Sequence, residues 1–273
     1  CVITNIGTCH LENLGDRDGV LKAKTEIFQS MKTNGHIVLN GDDDKLITVR
    51  EYNGVKPVFF GLNSERDVYA DQIESKGLKG VACRIHLGED AFDVLVPTPG
   101  IHMVYNALAA AAVGRIYGLT IEEIRRGIES LETIRGRFKM IETDKFLVVD
   151  DCYNANPMSM KASLDVLHDG EGRRVVILGD MGELGEDEAA LHEGVGIHAA
   201  TCGIDACVCV GDLAVHIAEA ARKANPDFPV YYEKTRESLL EHLNDYVQKG
   251  DTILVKASHF MKFEEVVKAL EEM

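Results

Sequence analysis

Phe146-Leu147-Val148-Val149-Asp150-Asp151-Cys152-Tyr153-Asn154-Ala155-Asn156-Pro157 is the stretch on which the fold turns. Four apolar residues read as a buried strand, two carboxylates stand at its C-terminal end, and a polar turn with Asn and Pro opens a helix. In open α/β sheets ligands sit outside the carboxyl ends of strands. Asp150 and Asp151 therefore stand where a ribose or a metal-bound phosphate would be met. Asp and Asn are also ordinary turn residues, so a capped strand-to-helix turn explains this stretch equally well on its own.

Outward from it, strand and helix alternate. Strands are expected at 146–150, 174–179, 206–211, 230–232 and 252–255, with helices at 158–167, 188–200, 213–224, 237–247 and 264–271. That rhythm predicts a Rossmann-like, mostly parallel, doubly wound α/β domain. Upstream the pattern differs. A strand at 1–4, an amphipathic helix at 16–32 and a strand at 36–40 lead into closely spaced β-like runs between 55 and 97, which fit an antiparallel or mixed sheet edge. Helices at 102–117 and 121–131 follow. The boundary is placed near Ile134, giving domains 1–133 and 134–273.

A formal net charge of −16 argues against nucleic acid or an anionic membrane as partner. The longest apolar run, around Val104 to Val113, is too short to span a bilayer. Seven cysteines without a C-x-x-C pair fit free thiols in a reducing cytoplasm and argue against a structural zinc site. Cys207 and Cys209 alternate within a run that reads as strand core.

Candidate chemistry lies at several points. Wound at the helical period, residues 19–32 put Val20, Leu21, Ile27, Phe28 and Met31 on one stripe with Lys24 in its middle. Such a lysine must snorkel, find a carboxylate, or be chemically changed. His10 follows the first strand, where it can ligate a metal or be a surface histidine. Asn106 sits in Asn106-Ala107-Leu108-Ala109-Ala110-Ala111-Ala112, so its amide is expected near a buried surface, met by an adenine edge or a backbone carbonyl. Arg137 stands at the start of the second domain, able to bridge phosphates or make an interdomain salt bridge. The loop Gly179-Asp180-Met181-Gly182-Glu183-Leu184-Gly185 has G-x-x-G-x-x-G spacing, which is not a dinucleotide fingerprint. No G-x-x-x-x-G-K-[ST] phosphate loop occurs in the sequence. An NAD-linked oxidoreductase fits the α/β rhythm but lacks that fingerprint.

Taken in order, these residues resemble the Mur ligases across nearly the whole chain. The resemblance is carried by Thr4-Asn5-Ile6-Gly7 with His10, Lys22-Ala23-Lys24, Asn40-Gly41-Asp42-Asp43, Pro99-Gly100-Ile101-His102, Asn106-Ala107-Leu108-Ala109-Ala110, Gly136-Arg137-Phe138, Asp150-Asp151 with Tyr153-Asn154-Ala155-Asn156-Pro157, and Gly179-Asp180-Met181. Tyr153-Asn154-Ala155-Asn156 and the Gly179 loop favour the dipeptide-adding kind. The resemblance implies ATP-dependent amide formation in peptidoglycan precursor synthesis. ATP would phosphorylate the terminal carboxylate of UDP-N-acetylmuramoyl-tripeptide, and the amine of D-alanyl-D-alanine would attack the acyl phosphate.

By the same resemblance His10 would ligate Mg²⁺, and Lys24, carbamylated, would support that metal. Asn106 would contact adenine, Arg137 the phosphates with a catalytic role, and Asp151 the ribose. Tyr153 and Asn154 would line the nucleotide site, and Ser258 the substrate side. Cofactors would be ATP and Mg²⁺, and the protein a cytoplasmic monomer without membrane insertion. Where many relatives have His-Asn, this chain has His102-Met103. The resemblance also implies that residues 1–133 are the later part of a central ATP-binding domain, with the phosphate loop and a UDP-sugar domain before Cys1. The 273-residue chain alone is then expected to be inactive. The competing expectation is a noncatalytic module whose C-terminal domain binds a ligand or partner.

Overall fold

In the computed structural model, which describes residues 1–7 and 11–273, each half of the chain builds its own six-stranded sheet. The two units are Cys1–Glu132 and Thr133–Met273.

In the first unit β1 (Val2–Ile3), β2 (Val38–Asn40), β3 (Val58–Gly61), β4 (Val68–Ser75), β5 (Val81–Leu87) and β6 (Asp90–Val96) lie side by side in chain order. The first four are parallel, and β4, β5 and β6 pair antiparallel, so the sheet is mixed. Along β5 every second residue is buried, the period expected when one face meets the core. Short α1 (Leu11–Leu14) and α2 (Arg17–Thr25) precede β2. On the core side α3 (Ile101–Ile116) crosses the strands, and its buried Ala107, Ala109, Ala111 and Ala112 let it approach closely. After it, α4 (Ile121–Glu129) opens on a capping box between Thr120 and Glu123.

One element departs from the sequence expectation. The helix expected over 16–32 stops being α-helical at Thr25 and continues as a 3₁₀ turn, Glu26–Ser30. Thr25 Oγ1 donates back to the Leu21 and Lys22 carbonyls at 2.8 and 3.0 Å, a side-chain bond of the kind that loosens a helix. A 3₁₀ helix turns 120° per residue, so the stripe drawn at 100° does not hold beyond it. Phe28 is buried and Ile27 is exposed.

In the second unit the strands are β7 (Lys139–Glu142), β8 (Leu147–Asp150), β9 (Arg174–Gly179), β10 (Ala206–Val210), β11 (Val230–Glu233) and β12 (Thr252–Lys256), in the order β11-β10-β9-β12-β8-β7. All pairs are parallel except the edge strand β7, which the sequence pattern did not reveal. The helices are α5 (Pro157–Leu167), α6 (Glu188–Thr201), α7 (Ala214–Ala224), α8 (Arg236–Tyr246) and α9 (Glu264–Glu272). Every residue of β10, Cys207 and Cys209 included, and of β12 is buried, as in strands covered on both faces. Because β12 returns to lie between β8 and β9, the carboxyl ends of these three strands stand together. Among the described residues no helix is long and apolar enough to cross a membrane.

Candidate active site

Buried Val148 and Val149 fix β8 in the sheet, and the strand ends on Asp150. Asn156 Oδ1 accepts from Ser159 N at 2.9 Å and Pro157 takes the first helical position, so α5 must start here. Between strand and helix the two carboxylates do different work. Asp150 is buried and accepts from Gly136 N at 2.8 Å and from Cys152 Sγ at 3.0 Å. Asp151 Oδ1 accepts from Phe138 N at 3.2 Å, and its Oδ2 accepts from Ser163 Oγ at 2.7 Å and Lys256 Nζ at 2.5 Å.

Those bonds hold the residues on both sides of Arg137. Tyr153 N adds a third tie by donating to Gly136 O at 3.0 Å. The loop reaches this shape through left-handed backbone at Gly136 (φ 77°) and at Phe138 (φ 52°). Gly136 is required, since a Cβ there would lie 3.0 Å from Tyr153 Cβ. Phe138 has a Cβ and adopts the conformation regardless, at a cost of about 1 kcal/mol or more offset by its burial.

The outcome is an exposed Arg137 whose Cζ stands 4.1 Å from the Tyr153 ring centroid. His259 meets the same ring edge-on at 5.7 Å. Arg135 pairs with Glu271, whereas the Arg137 guanidinium makes no ion pair among the described residues. A cavity of about 170 Å³ beside it is lined by Gly136, Asp150, Cys152, Tyr153 and His259. That is below the roughly 300 Å³ of an ordinary ligand pocket.

Sequence reasoning missed Lys256. It is 2% exposed at the end of β12, with Nζ between Asp151 Oδ2 and, at 3.4 Å, the Asn154 carbonyl. A lysine closing the apolar run Ile253-Leu254-Val255 was the available signal, because a buried ammonium demands an anion. Asp151 is thus not free. Of the roughly four acceptor positions of a carboxylate three are filled, which leaves one on Oδ1 for a hydroxyl. The exposed Asn154 turns its Oδ1 to Ala155 N at 2.9 Å.

Ser258 faces inward. It is 4% exposed, its Oγ accepts from Gly182 N at 2.9 Å, and its N donates to Asp180 O at 3.0 Å, so it ties the loop after β9 to the loop after β12. Asp180 Oδ1 accepts from Leu213 N and Ala214 N at the start of α7, at 3.0 and 2.7 Å. Burial pushes its carboxyl up, and these backbone bonds pull it back. Fully buried His192 accepts from Met181 N through Nε2 at 2.9 Å, so its proton sits on Nδ1, directed at Glu188 O at 2.7 Å. Burial lowers the pKa of this imidazole.

In the first unit two expectations are corrected. Lys24 does not sit on an apolar face: it is exposed, and Nζ donates to Asn5 O at 2.9 Å. Within α2 only Val20 is buried, and the 3₁₀ turn after Thr25 breaks the stripe that Ile27, Phe28 and Met31 were expected to continue. Asn106 is likewise exposed rather than near a buried surface, because the alanines beside it, not the amide, carry the packing of α3. Its Nδ2 donates to Met103 Sδ at 3.4 Å. The loop that leads toward His10 is held at successive residues. Thr4 O accepts from Asn40 Nδ2 at 3.0 Å, Asn5 O from Lys24, and Ile6 N donates to Asp43 Oδ2 at 2.7 Å. His10 itself lies outside the described residues.

Residues 1–114 match the family described as Mur ligase middle domain, and residues 136–259 match Mur ligase, glutamate ligase domain. The chain belongs to the Mur ligase family. This Mur ligase chain is 35% identical, over 99% of its length, to UDP-N-acetylmuramoyl-tripeptide--D-alanyl-D-alanine ligase of Bacillus subtilis, of which it covers 59%. MurF from Acinetobacter baumannii superimposes with a TM-score of 0.88 at 31% identity, covering all of this chain and 60% of that one. MurF ligase from Thermotoga maritima, solved in complex with ADP, gives 0.83 at 26% identity, covering 99% and 61%. The chain therefore spans about three fifths of the length of the relatives it matches.

Proposed function

We propose that this Mur ligase chain supplies middle and C-terminal portions of a ligase that joins D-alanyl-D-alanine to UDP-N-acetylmuramoyl-tripeptide at the expense of ATP. The observation that carries this reading is the Arg137 loop. Gly136 and Phe138 are bonded to Asp150 and Asp151, and between them an exposed guanidinium, free of ion pairs among the described residues, lies over Tyr153. A planar cation in that setting suits a phosphate, bidentately, and a developing negative charge on it. The remaining acceptor on Asp151 suits a ribose hydroxyl, with Lys256 and Ser163 orienting the carboxylate. Tyr153 and Asn154 are assigned to the same nucleotide, and Ser258 to the substrate side, its hydroxyl held in place by the bond it accepts from Gly182 N. Asn106 is assigned to adenine, its exposed amide offering both donor and acceptor.

Mg²⁺ is assigned to the first unit. Lys24 is exposed and within reach of the Thr4–Ile6 loop, which suits a carbamate that would offer hard oxygen donors, with His10 as a further ligand. When bound, the ion would neutralise charge on the reacting phosphate. Domains 1–133 and 134–273 are read as the ATP-binding and C-terminal parts, and the setting as cytoplasmic. The 273-residue chain carries no phosphate loop, so alone it is expected to be silent.

The test is phosphate release by the whole ligase carrying this chain, with ATP and both peptide substrates. Arg137→Ala is expected to lower kcat/KM by about 100-fold or more, the scale of removing one charge-stabilising donor. Activity within twofold of the parent contradicts the assignment.

A further inference from the structure

Outside the site above, three side chains able to hold a metal converge where α5 packs on α6. His198 and Cys202 stand four residues apart at the C-terminal end of α6 and so share a face, and Asp165 comes from α5. The donor atoms of all three lie within 4.8 Å of one another. His198 Nε2 is 2.5 Å from Asp165 Oδ1, and Cys202 Sγ makes a weak 3.8 Å contact with Ala199 O.

We propose that Asp165, His198 and Cys202 bind one divalent cation of the zinc class, linking α5 to α6, with a fourth position left to water. A thiolate, an imidazole and a carboxylate together suit Zn²⁺ or Co²⁺ rather than Mg²⁺ or Ca²⁺. A tetrahedral shell places such donors about 3.3–3.6 Å apart. The His198–Asp165 separation must then open by about 1 Å, and Cys202 close by at most about 1.5 Å. Side-chain torsions cover both changes. Asp165 is 60% and His198 30% exposed, so an ion reaches them from solvent. On binding, the Sγ–H proton leaves to solvent as the Sγ–metal bond forms, and the imidazole donates one ring nitrogen while the other keeps its proton.

A nucleophilic thiol is the weaker reading of the same trio. Burial, with Asp165 beside it, pushes the Cys202 thiol up to about 11, the reverse of an activated cysteine. With a single thiolate this is not a closed structural zinc centre, and its third ligand comes from another helix, which no sequence spacing reveals.

The test is to titrate the chelator-treated 273-residue chain with Co²⁺ and follow the near-ultraviolet thiolate-to-cobalt band and the visible bands, then displace with Zn²⁺. One equivalent is expected, with the thiolate band lost in Cys202→Ser. In Asp165→Asn, a change at an exposed position that leaves folding intact, the Co²⁺ dissociation constant is expected to rise at least about tenfold. Absence of a saturable spectrum overturns the site. So does a thiolate band that persists in Cys202→Ser, or an affinity unchanged in Asp165→Asn.

Discussion

Lys256 and Asp151 form the residue pair on which the site's geometry depends. Their side chains are 3% and 15% exposed, so removing one partner strands a charge that water cannot fully reach. Lys256→Met is expected to destabilise by about 3 kcal/mol, the low end for a broken buried pair, because Ser163 and Phe138 still satisfy Asp151. Urea denaturation checks this. Asp151→Asn/Lys256→Met should cost clearly less than the two single changes summed, since the second change removes the stranded charge. Tyr153 acts more weakly. An exposed cation–π contact contributes about 0.5–1 kcal/mol, so Tyr153→Ala should weaken ATP binding by the whole ligase by about two- to five-fold. Tyr153→Phe should change it less than twofold. At this scale the sequence marked Asp151 and Tyr153 because they follow a strand end in the chain, and Arg137 because it stands at the expected start of the second domain. Lys256 lies 105 positions beyond Asp151, and only pairing of β12 with β8 brings it there. Lys24 and Asn106 were misplaced for a different reason: a helical wheel assumes one continuous α-helix and says nothing of which neighbour does the packing.

Helices α6 and α7 meet at Gly196, where an added Cβ would stand 2.2 Å from the Ile217 carbonyl oxygen. Two effects oppose each other here. Alanine is favoured over glycine in a helix by about 1 kcal/mol, but forcing two backbones apart costs about 1–3 kcal/mol. At 2.2 Å from backbone the upper end of that cost applies, so the clash wins and Gly196→Ala should lower stability by about 2 kcal/mol. At Gly194, in the same helix, a Cβ would meet Lys161 Nζ at 3.6 Å, an ordinary contact. Gly194→Ala should therefore raise stability by about 0.5–1 kcal/mol, and thermal unfolding of the two variants tests the pair. His192, which anchors the loop after β9 to α6, gives that element a pH dependence. Its folded pKa is lowered from 6.5 by burial, so below that value the unfolded chain binds a proton the native chain refuses. Its contribution is complete above about pH 6.5 and falls with acid by up to about 1.4 kcal/mol per pH unit. The difference in stability between the parent and His192→Gln should show that slope between about pH 6.5 and 5. Asp180, pushed up by burial, acts in the opposite sense in both proteins. Most strands and helices of the second unit were legible because their apolar runs end on Gly, Asp or Pro. β7 was not, since Lys139-Met140-Ile141-Glu142 carries no alternation.

Each unit has its own buried cores. One gathers Val38, Phe60, Ile85 and Leu108, another Ile3, Leu39 and Phe28, and a third Val148, Ile177, Val208 and Phe263. The third belongs wholly to residues 133–273, which should therefore fold when expressed alone and give a cooperative unfolding transition with dispersed amide resonances. At this scale the α/β rhythm made the doubly wound sheet readable, while the strand order did not follow from the sequence. That β12 returns between β8 and β9 is a matter of which edge is left to pair, and it is this return that assembles the site. The proposed activity is tested most directly by the reaction of the whole ligase carrying this chain, supplied with ATP, UDP-N-acetylmuramoyl-tripeptide and D-alanyl-D-alanine, with products weighed by mass spectrometry. One phosphate should be released per amide formed, with a product heavier by the dipeptide and no product when the dipeptide is left out. Phosphate release that ignores D-alanyl-D-alanine, or a product carrying a single amino acid in its place, would contradict it.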